Sequence, residues 1–307
     1  MTVGVAHPKV VALVPAWKAS AFIAETLDAL AAQGCPNLEI LVFDDASPDE
    51  TAAICERYAA RDRRFRVIRQ PRNLGWIGNV NALLREARGD YFLFAFQDDL
   101  PEPSYVERCV DALEMNPRAI MAFSDIELVN QDGSREEKSY AVLDGVTDRS
   151  QRARLVAGQQ GSWWIPNRGV FRASAARAIG GLRRHLAGEF SADWPWLLHM
   201  SLLGEFVRIP ECLVTKIYQQ RSLSRGWDFG GRSWSAVTLS AVATVSRAQI
   251  PVREKLALFG TLAVFLALRL RHASRLTIGR WLRRLGLRRS TPLPGSPDRG
   301  KAGRFTG

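Results

Sequence analysis

Two pairs of neighbouring aspartates give the first indication of chemistry in this sequence. Asp44 and Asp45 end one apolar run, and Asp98 and Asp99 closely follow another. Adjacent carboxylates repel each other, so their full ionisation is disfavoured unless a cation or hydrogen-bond donors compensate. Carboxylate oxygens suit Mg²⁺ or Mn²⁺, and such ions often bridge one or two carboxylates to substrate phosphates. The pairs therefore predict a nucleoside diphosphate site, although aspartates after strands also form turns and helix caps.

The chain lacks the common glycine-rich phosphate loops. Neither GxxxxGK[ST] nor GxGxxG occurs anywhere in the 307 residues. A nucleotidyltransferase on a related sheet would need such a loop near the first strand, and residues 15–20 (PAWKAS) do not supply it. A nucleotide would therefore have to be bound by other means.

Alternating strands and helices must position the aspartates. Continuous apolar runs predict buried parallel strands, and the amphipathic stretches between them predict helices. We expect the strands at 9–15, 38–45, 65–69, 91–96 and 120–128, and the helices at 20–33, from 47 to about 61, and at 77–88. Ser20 is the expected N-cap of the first helix, and residues 47–50 (SPDE) resemble a capping box with proline at the first helical position. Ligands of such open α/β sheets bind beyond the carboxyl ends of the strands, which is where the aspartate pairs lie.

The ordered set of segments at 9–130 resembles the family 2 glycosyltransferases, and a weaker second stretch runs from about 160 to 225. The resemblance implies an α/β fold of the GT-A type, with a Rossmann-like, mostly parallel central sheet flanked by helices. It also implies transfer of a sugar from a nucleoside-diphosphate sugar to a hydroxyl acceptor, with inversion at the anomeric carbon. The positions that match the family's donor-binding motifs are Pro15, Ala16, Trp17, Asp45, Asn73, Gly75 and Asp98.

The same resemblance implies a metal site and a catalytic base. The family's metal motif is usually D-x-D or D-x-D-D, and here Phe96 replaces its first acid, which leaves Asp98 and Asp99 as the expected ligands of Mg²⁺ or Mn²⁺. The family's base is an aspartate, often within an E-D pair, and Asp193 holds that place after Ala192. Glu189 is the nearby alternative base, and Asp193 can also be read as a plain helix N-cap.

The middle of the chain is the expected acceptor side. Trp163 and Trp164 can stack on sugar rings, or they can simply pack against the sheet. In the family, an Arg/His-containing segment often covers the diphosphate, and Gln219, Arg221 and Arg225 lie in the corresponding stretch. We expect residues 1–130 to form the nucleotide-sugar-binding half of one domain and residues 131–230 its acceptor-side half.

The basic excess is confined to the C-terminal end. The chain has 42 Lys and Arg against 31 Asp and Glu, and 11 of these basic residues but only one acid follow position 268. The apolar run at 256–268 has 13 residues, too short to span a bilayer comfortably, and an arginine-rich stretch follows it to 289. Residues 231–289 therefore predict C-terminal helices that associate with an anionic membrane surface, or alternatively a packing arm with a solvated basic end. Residues 290–307 have a composition typical of a disordered tail, and we expect no nucleic-acid partner.

Four cysteines without a CxxC pair, and an N-terminus without a basic and apolar leader, indicate a cytoplasmic protein. We expect it on the inner face of the cytoplasmic membrane, where it acts on a glycan or a lipid-linked saccharide. The alternative is a GT-A domain that binds nucleotide or glycan without turnover, because acids of two family motifs are replaced by Phe96 and Ala192.

Overall fold

The computed structural model describes residues 7–217 and 226–284. The strands of this part of the chain are β1 (Val10–Ala16), β2 (Leu38–Asp44), β3 (Phe65–Arg69), β4 (Tyr91–Phe94), β5 (Asp99–Pro101), β6 (Ala119–Val129), β7 (Arg135–Lys138), β8 (Val170–Arg172) and β9 (Glu205–Ile217). The helices are α1 (Ile23–Ala31), α2 (Thr51–Ala59), α3 (Gly75–Glu86), α4 (Tyr105–Met115), α5 (Arg149–Ala157), α6 (Ala173–Ile179), α7 (Asp193–Leu203), α8 (Gly231–Arg247) and α9 (Val252–Arg284). Each strand and each of the three helices expected in the first 130 residues is present; β3 has the predicted ends, and each of the other elements is shifted at one or both ends.

The first four predicted strands form one parallel half of the sheet. They lie in the order β3-β2-β1-β4, and all three pairings are parallel. Every residue of β1 is buried, as its continuous apolar run predicts. Ala16 at the end of β1 lies opposite Asp44 at the end of β2, so the loops that follow the two strands lie at the same edge of the sheet.

The other half of the sheet is mixed. The predicted fifth strand, β6, does not pair with β4, because β8 inserts between them and is antiparallel to both. Beyond β6 lies the parallel strand β9, and the short β5 pairs antiparallel with β9. In this register Asp99 lies opposite Lys216, a pairing that crosses more than a hundred residues of chain. The α/β fold class is confirmed, and the four strands β3-β2-β1-β4, which are parallel throughout, form the side that carries Asp44 and Asp45.

Two helix starts differ from the prediction. Helix α1 begins at Ile23, and Ser20 donates its hydroxyl hydrogen bond to Asp49 Oδ2 at 2.8 Å instead of capping the helix. Helix α2 begins at Thr51, whose hydroxyl also donates to Asp49, at 2.6 Å. The predicted capping box with Pro48 at the first helical position is therefore wrong. The adjacent ends of β1 and β2 bring the two loops together, so Asp49 bonds both to Ser20 of the other loop and to Thr51 at the start of its own helix.

Helix α9 packs against α5 and α8 through one face. Leu258, Leu262 and Phe265 of this face are buried. The opposite face carries an exposed stripe of apolar and small residues, here named the outer stripe: Leu256, Ala257, Gly260, Ala263, Val264, Ala267 and Leu268. The segment Val252–Ser274 is 23 residues long, and by length and composition it is long and apolar enough to cross a membrane. The expectation that the 13-residue apolar run is too short to span a bilayer is corrected here. The helix continues through polar residues at both ends of this run, and the longer segment has the length that the run lacks.

Two groups of predictions lie outside the described residues. They are the disordered tail at 290–307 and the set Gln219, Arg221 and Arg225.

Candidate active site

A cavity of about 880 Å³ lies at the carboxyl edge of the parallel strands. Its wall includes residues from both halves of the sheet and from the C-terminal helices. The predicted site residues that the structure brings together on this wall are Pro15, Ala16, Trp17, Asp45, Asn73, Gly75, Asp98 and Asp193. Asp99 is the exception, because it lies buried directly behind the wall.

Asp45 holds the loop that begins α3. Its Oδ1 accepts a hydrogen bond from the Leu74 backbone N–H at 2.7 Å, and the Asn73 side-chain amide donates to the Asp45 backbone carbonyl at 3.2 Å. Burial raises the pKa of Asp45 above its usual range, while the backbone donors oppose that rise. The aspartate thus ties the end of β2 to the Asn-x-Gly loop, and both remain on the cavity wall.

Gly75 allows a close approach of neighbouring side chains that an added Cβ would obstruct. Its φ is +75°, and a Cβ at this position would lie 2.7 Å from Glu189 Oε1 and 2.6 Å from an Arg184 nitrogen. Glu189 accepts hydrogen bonds from the backbone N–H groups of Trp76 and Ile77 at 3.2 and 3.1 Å, so it satisfies the otherwise unpaired start of α3. With both of its oxygens engaged in this way, Glu189 is a poorer candidate for the base than Asp193.

Two cations accompany the second aspartate pair. Lys216 Nζ lies 2.8 Å from Asp98 and 3.5 Å from Asp99, and Arg168 Nε lies 2.8 Å from Asp99 Oδ2. Lys216 and Arg168 are both on the cavity wall. The cluster of two carboxylates and two cations is formally neutral, so the repulsion between the aspartates is compensated by the protein itself.

The second aspartate pair fits a divalent cation that is held partly by substrate. Asp98 offers carboxylate oxygens to the cavity, and Asp99 Oδ2 is buried without an aligned hydrogen bond. Within the described residues no group of three or more His, Cys, Asp and Glu could hold a metal. Mg²⁺ is commonly held by one or two carboxylates plus substrate phosphates and water, so Asp98 and Asp99 fit a site of that kind. The assignment of both aspartates as metal ligands stays a prediction.

Aromatic rings surround the cationic side of the cluster. The Arg168 guanidinium lies over the rings of Phe96 and Trp164, with 5.6 and 4.9 Å to the ring centroids. Phe96, which replaces the first acid of the family's metal motif, therefore provides a surface for this arginine. Trp163 and Trp164 are both on the cavity wall, so the structure agrees with a contact to ligand as well as with packing.

Asp193 begins α7 in a setting that favours a base. Asn167 donates a hydrogen bond to its Oδ2 at 2.8 Å, while its Oδ1 is buried and has no partner. Burial raises the pKa of Asp193 to about 6, against smaller lowerings by backbone N–H donors and by the charge of Arg168. An aspartate of ordinary pKa is a weak base, and a pKa near the working pH improves proton transfer. The next residue, Trp194, is fully buried and donates its indole N–H to the Val156 carbonyl at 2.8 Å, which anchors the start of the helix.

The polar cavity residues that sequence reasoning missed include Gln97, Asn167, Lys216 and Arg269. Gln97 accepts a hydrogen bond from the Trp17 backbone N–H at 3.2 Å. A signal existed for Lys216, since it is a charged residue within an otherwise apolar strand segment, LVTKI. The other three have no comparable signal, because their role depends on elements that meet only in the folded chain.

Solved structures of glycosyltransferases share this fold. The chain aligns with a crystal structure of Staphylococcus aureus TarS 1–349 in complex with UDP-GlcNAc at a TM-score of 0.68 and 17% identity, covering 84% of this chain and 71% of that one. It also aligns with a mannosyltransferase from Pyrobaculum calidifontis in complex with GDP-Man and Mn²⁺ at a TM-score of 0.56 and 18% identity, covering 90% and 80%. At this identity the similarity establishes the fold alone.

Curated relatives match the first part of the chain. An uncharacterized glycosyltransferase of Haemophilus influenzae is 34% identical over 122 residues, which cover 40% of this chain and 38% of that protein. The putative glycosyltransferase EpsH of Bacillus subtilis is 32% identical over 152 residues, which cover 45% and 44%. The matched parts span less than half of either relative. A family model described as "Glycosyl transferase family 2" matches residues 11–173, more than half of the chain. Together with the fold and the aspartates of the cavity, this match establishes that the chain belongs to glycosyl transferase family 2.

Proposed function

We propose that this protein transfers a sugar from a nucleoside-diphosphate sugar to a hydroxyl group of a glycan or lipid-linked acceptor, with inversion. The observation that carries the proposal is the position of Asp193, a carboxylate with a pKa raised to about 6, on the same cavity wall as Asp45 and Asp98. Residues 1–130 would form the donor half of the site and residues 131–230 the acceptor half. The likeness of the fold to a structure that contains UDP-GlcNAc supports the donor class.

The donor is proposed to lie with its base near Asp45 and Trp17 and its diphosphate near Lys216 and Arg168. Lys216 and Arg168 are both on the cavity wall, so their charges can interact with the leaving diphosphate as its negative charge forms. Mg²⁺ or Mn²⁺ held by Asp98, Asp99 and the phosphates would supply additional positive charge to the leaving group.

Asp193 is proposed to accept a hydrogen bond from the acceptor hydroxyl and then to take its proton. The acceptor oxygen forms a bond to the anomeric carbon while the bond from that carbon to the phosphate oxygen breaks. The electron pair of the broken bond leaves with the nucleoside diphosphate, and the proton passes to Asp193. Attack from the face opposite the leaving group inverts the anomeric carbon, and no covalent enzyme intermediate forms. Asn167, 2.8 Å from Asp193 Oδ2, keeps the carboxylate oriented.

The first experiment is a calorimetric titration with UDP, GDP, dTDP and CDP, each with and without Mn²⁺ or Mg²⁺. We expect one diphosphate to bind, more tightly with metal, and Asp193→Asn to keep this binding but lose at least about a hundredfold in transfer rate. Lys216→Met should weaken binding of the diphosphate, and more strongly without metal than with it, because it removes a cation of the proposed phosphate site. Transfer by the parent should rise with pH through about 6, where Asp193 loses its proton.

The binding-only alternative makes a different set of predictions. A folded protein that binds a diphosphate but neither transfers nor hydrolyses any donor would favour it over the enzyme. The replacement of two family acids by Phe96 and Ala192 is the feature behind this alternative. A folded protein that binds none of the four diphosphates would contradict the donor site itself.

We also propose that α9 attaches the protein peripherally to an anionic membrane surface. The outer stripe is apolar and exposed, and Arg253 and Arg271 continue the same helix face at its two ends. Apolar area buried in the interface and arginines near anionic headgroups would both contribute to such binding.

A further inference from the structure

One arginine of α9 turns inward, to the cavity. Arg269 is on the cavity wall, and its Nη2 donates a hydrogen bond to Gln159 Oε1 at 2.9 Å. Its guanidinium lies over the rings of Trp234 and Phe265, with 4.3 and 5.1 Å to the ring centroids. The helix proposed to contact the membrane therefore also contributes a charged group to the proposed active site.

Arg269 has no anionic partner within the described parts of the chain. No carboxylate of residues 7–217 or 226–284 forms an ion pair with it, and burial lowers the pKa of its guanidinium. Its hydrogen-bond partner Gln159 is buried as well, and the Nε2 of that amide has no acceptor. The half-buried Arg269 guanidinium and the Gln159 amide N–H without an acceptor lie side by side. An anionic hydrogen-bond acceptor at this end of the cavity would satisfy both groups.

This end of the cavity is adjacent to the proposed base. Trp194, which follows Asp193, packs on Phe265 with 4.7 Å between ring centroids, and Phe265 lies one helical turn before Arg269. The donor phosphates already have Lys216 and Arg168 at the aspartate cluster. An anion beside Arg269 would therefore belong to the acceptor.

The surroundings of Arg269 are aromatic. Trp227, Phe229 and Trp234 are on the cavity wall and pack around Phe190 at centroid distances of 4.9 to 5.6 Å. Phe229 is 54% exposed, so apolar surface continues from Arg269 to the rim of the cavity. The outer face of the same helix is the apolar outer stripe. The combination fits a ligand that has an anionic group and an apolar chain.

We infer that Arg269, with Gln159 and the aromatic rings beside it, binds the phosphate of an acceptor saccharide that is linked through this phosphate to a long apolar alcohol. The inference rests on the proposed function, since it assigns the acceptor side of that site. The phosphate bonds to the guanidinium and the Gln159 amide, the chain leaves the cavity past Phe229, and the acceptor oxygen lies near Asp193. Arg269 is a binding residue and takes no part in proton transfer.

The test uses the full chain and a medium-chain alkyl phosphate below its critical micelle concentration, with the alkyl alcohol of the same chain as comparison. We expect the phosphate to bind at least about tenfold more tightly than the alcohol, since charge-assisted hydrogen bonds contribute more than neutral ones. Arg269→Gln should weaken binding of the phosphate by about tenfold or more, and Arg269→Lys should restore part of it. Arg57→Gln, on the exposed face of α2 and away from α9, should leave binding unchanged.

The outcomes separate this inference from the proposed function. Equal binding of phosphate and alcohol would overturn the assignment of an anionic acceptor, and full binding by Arg269→Gln would overturn the role of Arg269. Nucleoside diphosphate binding is measured in parallel on each variant, and its retention shows that the variant is folded. If the parent binds the alkyl phosphate but no nucleoside diphosphate, the proposed donor site fails while the anion site stands.

Discussion

At the scale of residues, the ionisation of Asp193 connects stability to function. Burial raises its pKa from an ordinary value near 4 to about 6, so the folded state binds this proton more tightly than the unfolded chain does. Its stabilising contribution is complete below the unfolded pKa and is lost as the pH rises through about 6. At neutral pH the protein therefore keeps a buried carboxylate charged at a cost to its own stability, and that charged form is the one a base requires.

Asp193→Asn should reveal this cost. Each pKa unit corresponds to about 1.4 kcal/mol, and between pH 5 and pH 8 only the interval from 5 to about 6 contributes, so over this range the variant should gain about 1–2 kcal/mol of unfolding free energy relative to the parent. The amide can still accept the hydrogen bond from Asn167. Urea unfolding of both proteins at the two pH values measures the difference. A stability difference that does not change with pH would show that Asp193 has an ordinary pKa.

At the scale of elements, the start of α3 depends on a contact between distant segments. The Asn73 side-chain oxygen accepts from the Gly75 backbone N–H at 3.0 Å, and Glu189 accepts from the next two backbone N–H groups. The loop that carries Asn73 and Gly75 to the cavity is therefore held by Asp45 on one side and by Glu189 on the other. A change at Gly75 should disturb the nucleotide end of the cavity as well as the helix.

Gly75→Ala should destabilise the protein by about 1–3 kcal/mol, since it adds left-handed backbone strain and a collision with Glu189. Gly133→Ala is the matched control, because Gly133 also has a positive φ, of +79°, but nothing lies within 4 Å of the place that its Cβ would take. Chemical unfolding of both variants, together with calorimetric binding of the nucleoside diphosphate, tests the prediction. Equal losses of stability in the two variants, with intact nucleotide binding in both, would mean that the contact with Glu189 has no consequence.

At the scale of the whole molecule, α9 connects the proposed membrane surface with the cavity. Its inner face contributes Leu258, Leu262 and Phe265 to the core and Arg269 to the cavity wall. Its outer stripe faces away from the protein over the same turns. Attachment through this stripe would hold the aromatic end of the cavity close to the membrane, where a lipid-linked acceptor would be found.

Replacement of Leu256, Val264 and Leu268 by serine should release the protein from membranes. Each of these side chains is more than 60% exposed. We expect the parent to float with anionic vesicles, less so at high salt, and the triple variant to bind at least about tenfold more weakly. A variant with Met115→Ser and Leu186→Ser is the control, because these exposed apolar residues, 81% and 93% accessible, lie away from α9. Unchanged flotation of the triple variant would contradict attachment through the outer stripe.

The sequence by itself determined the family, the fold class and one edge of the cavity. Apolar runs that end in Asp44–Asp45 or are followed by Asp98–Asp99 predict parallel strands, and the carboxyl ends of parallel strands must share an edge. The physical reason is local, because a strand that is buried on both faces needs a continuous run of apolar residues. Helix ends were predicted less well, since Ser20 bonds to Asp49 of the neighbouring loop rather than to its own helix.

Only the tertiary structure decided which groups join those aspartates. Lys216 reaches Asp98 and Asp99 because β5 pairs with β9 in a register that places Asp99 opposite Lys216, and Asn167 reaches Asp193 from a turn 26 residues away. Arg269 enters the cavity because buried leucines and Phe265 on α9 fix which face of the helix turns inward. Strand register and the rotation of a helix about its axis are set by packing between distant segments. A local sequence pattern does not predict such packing.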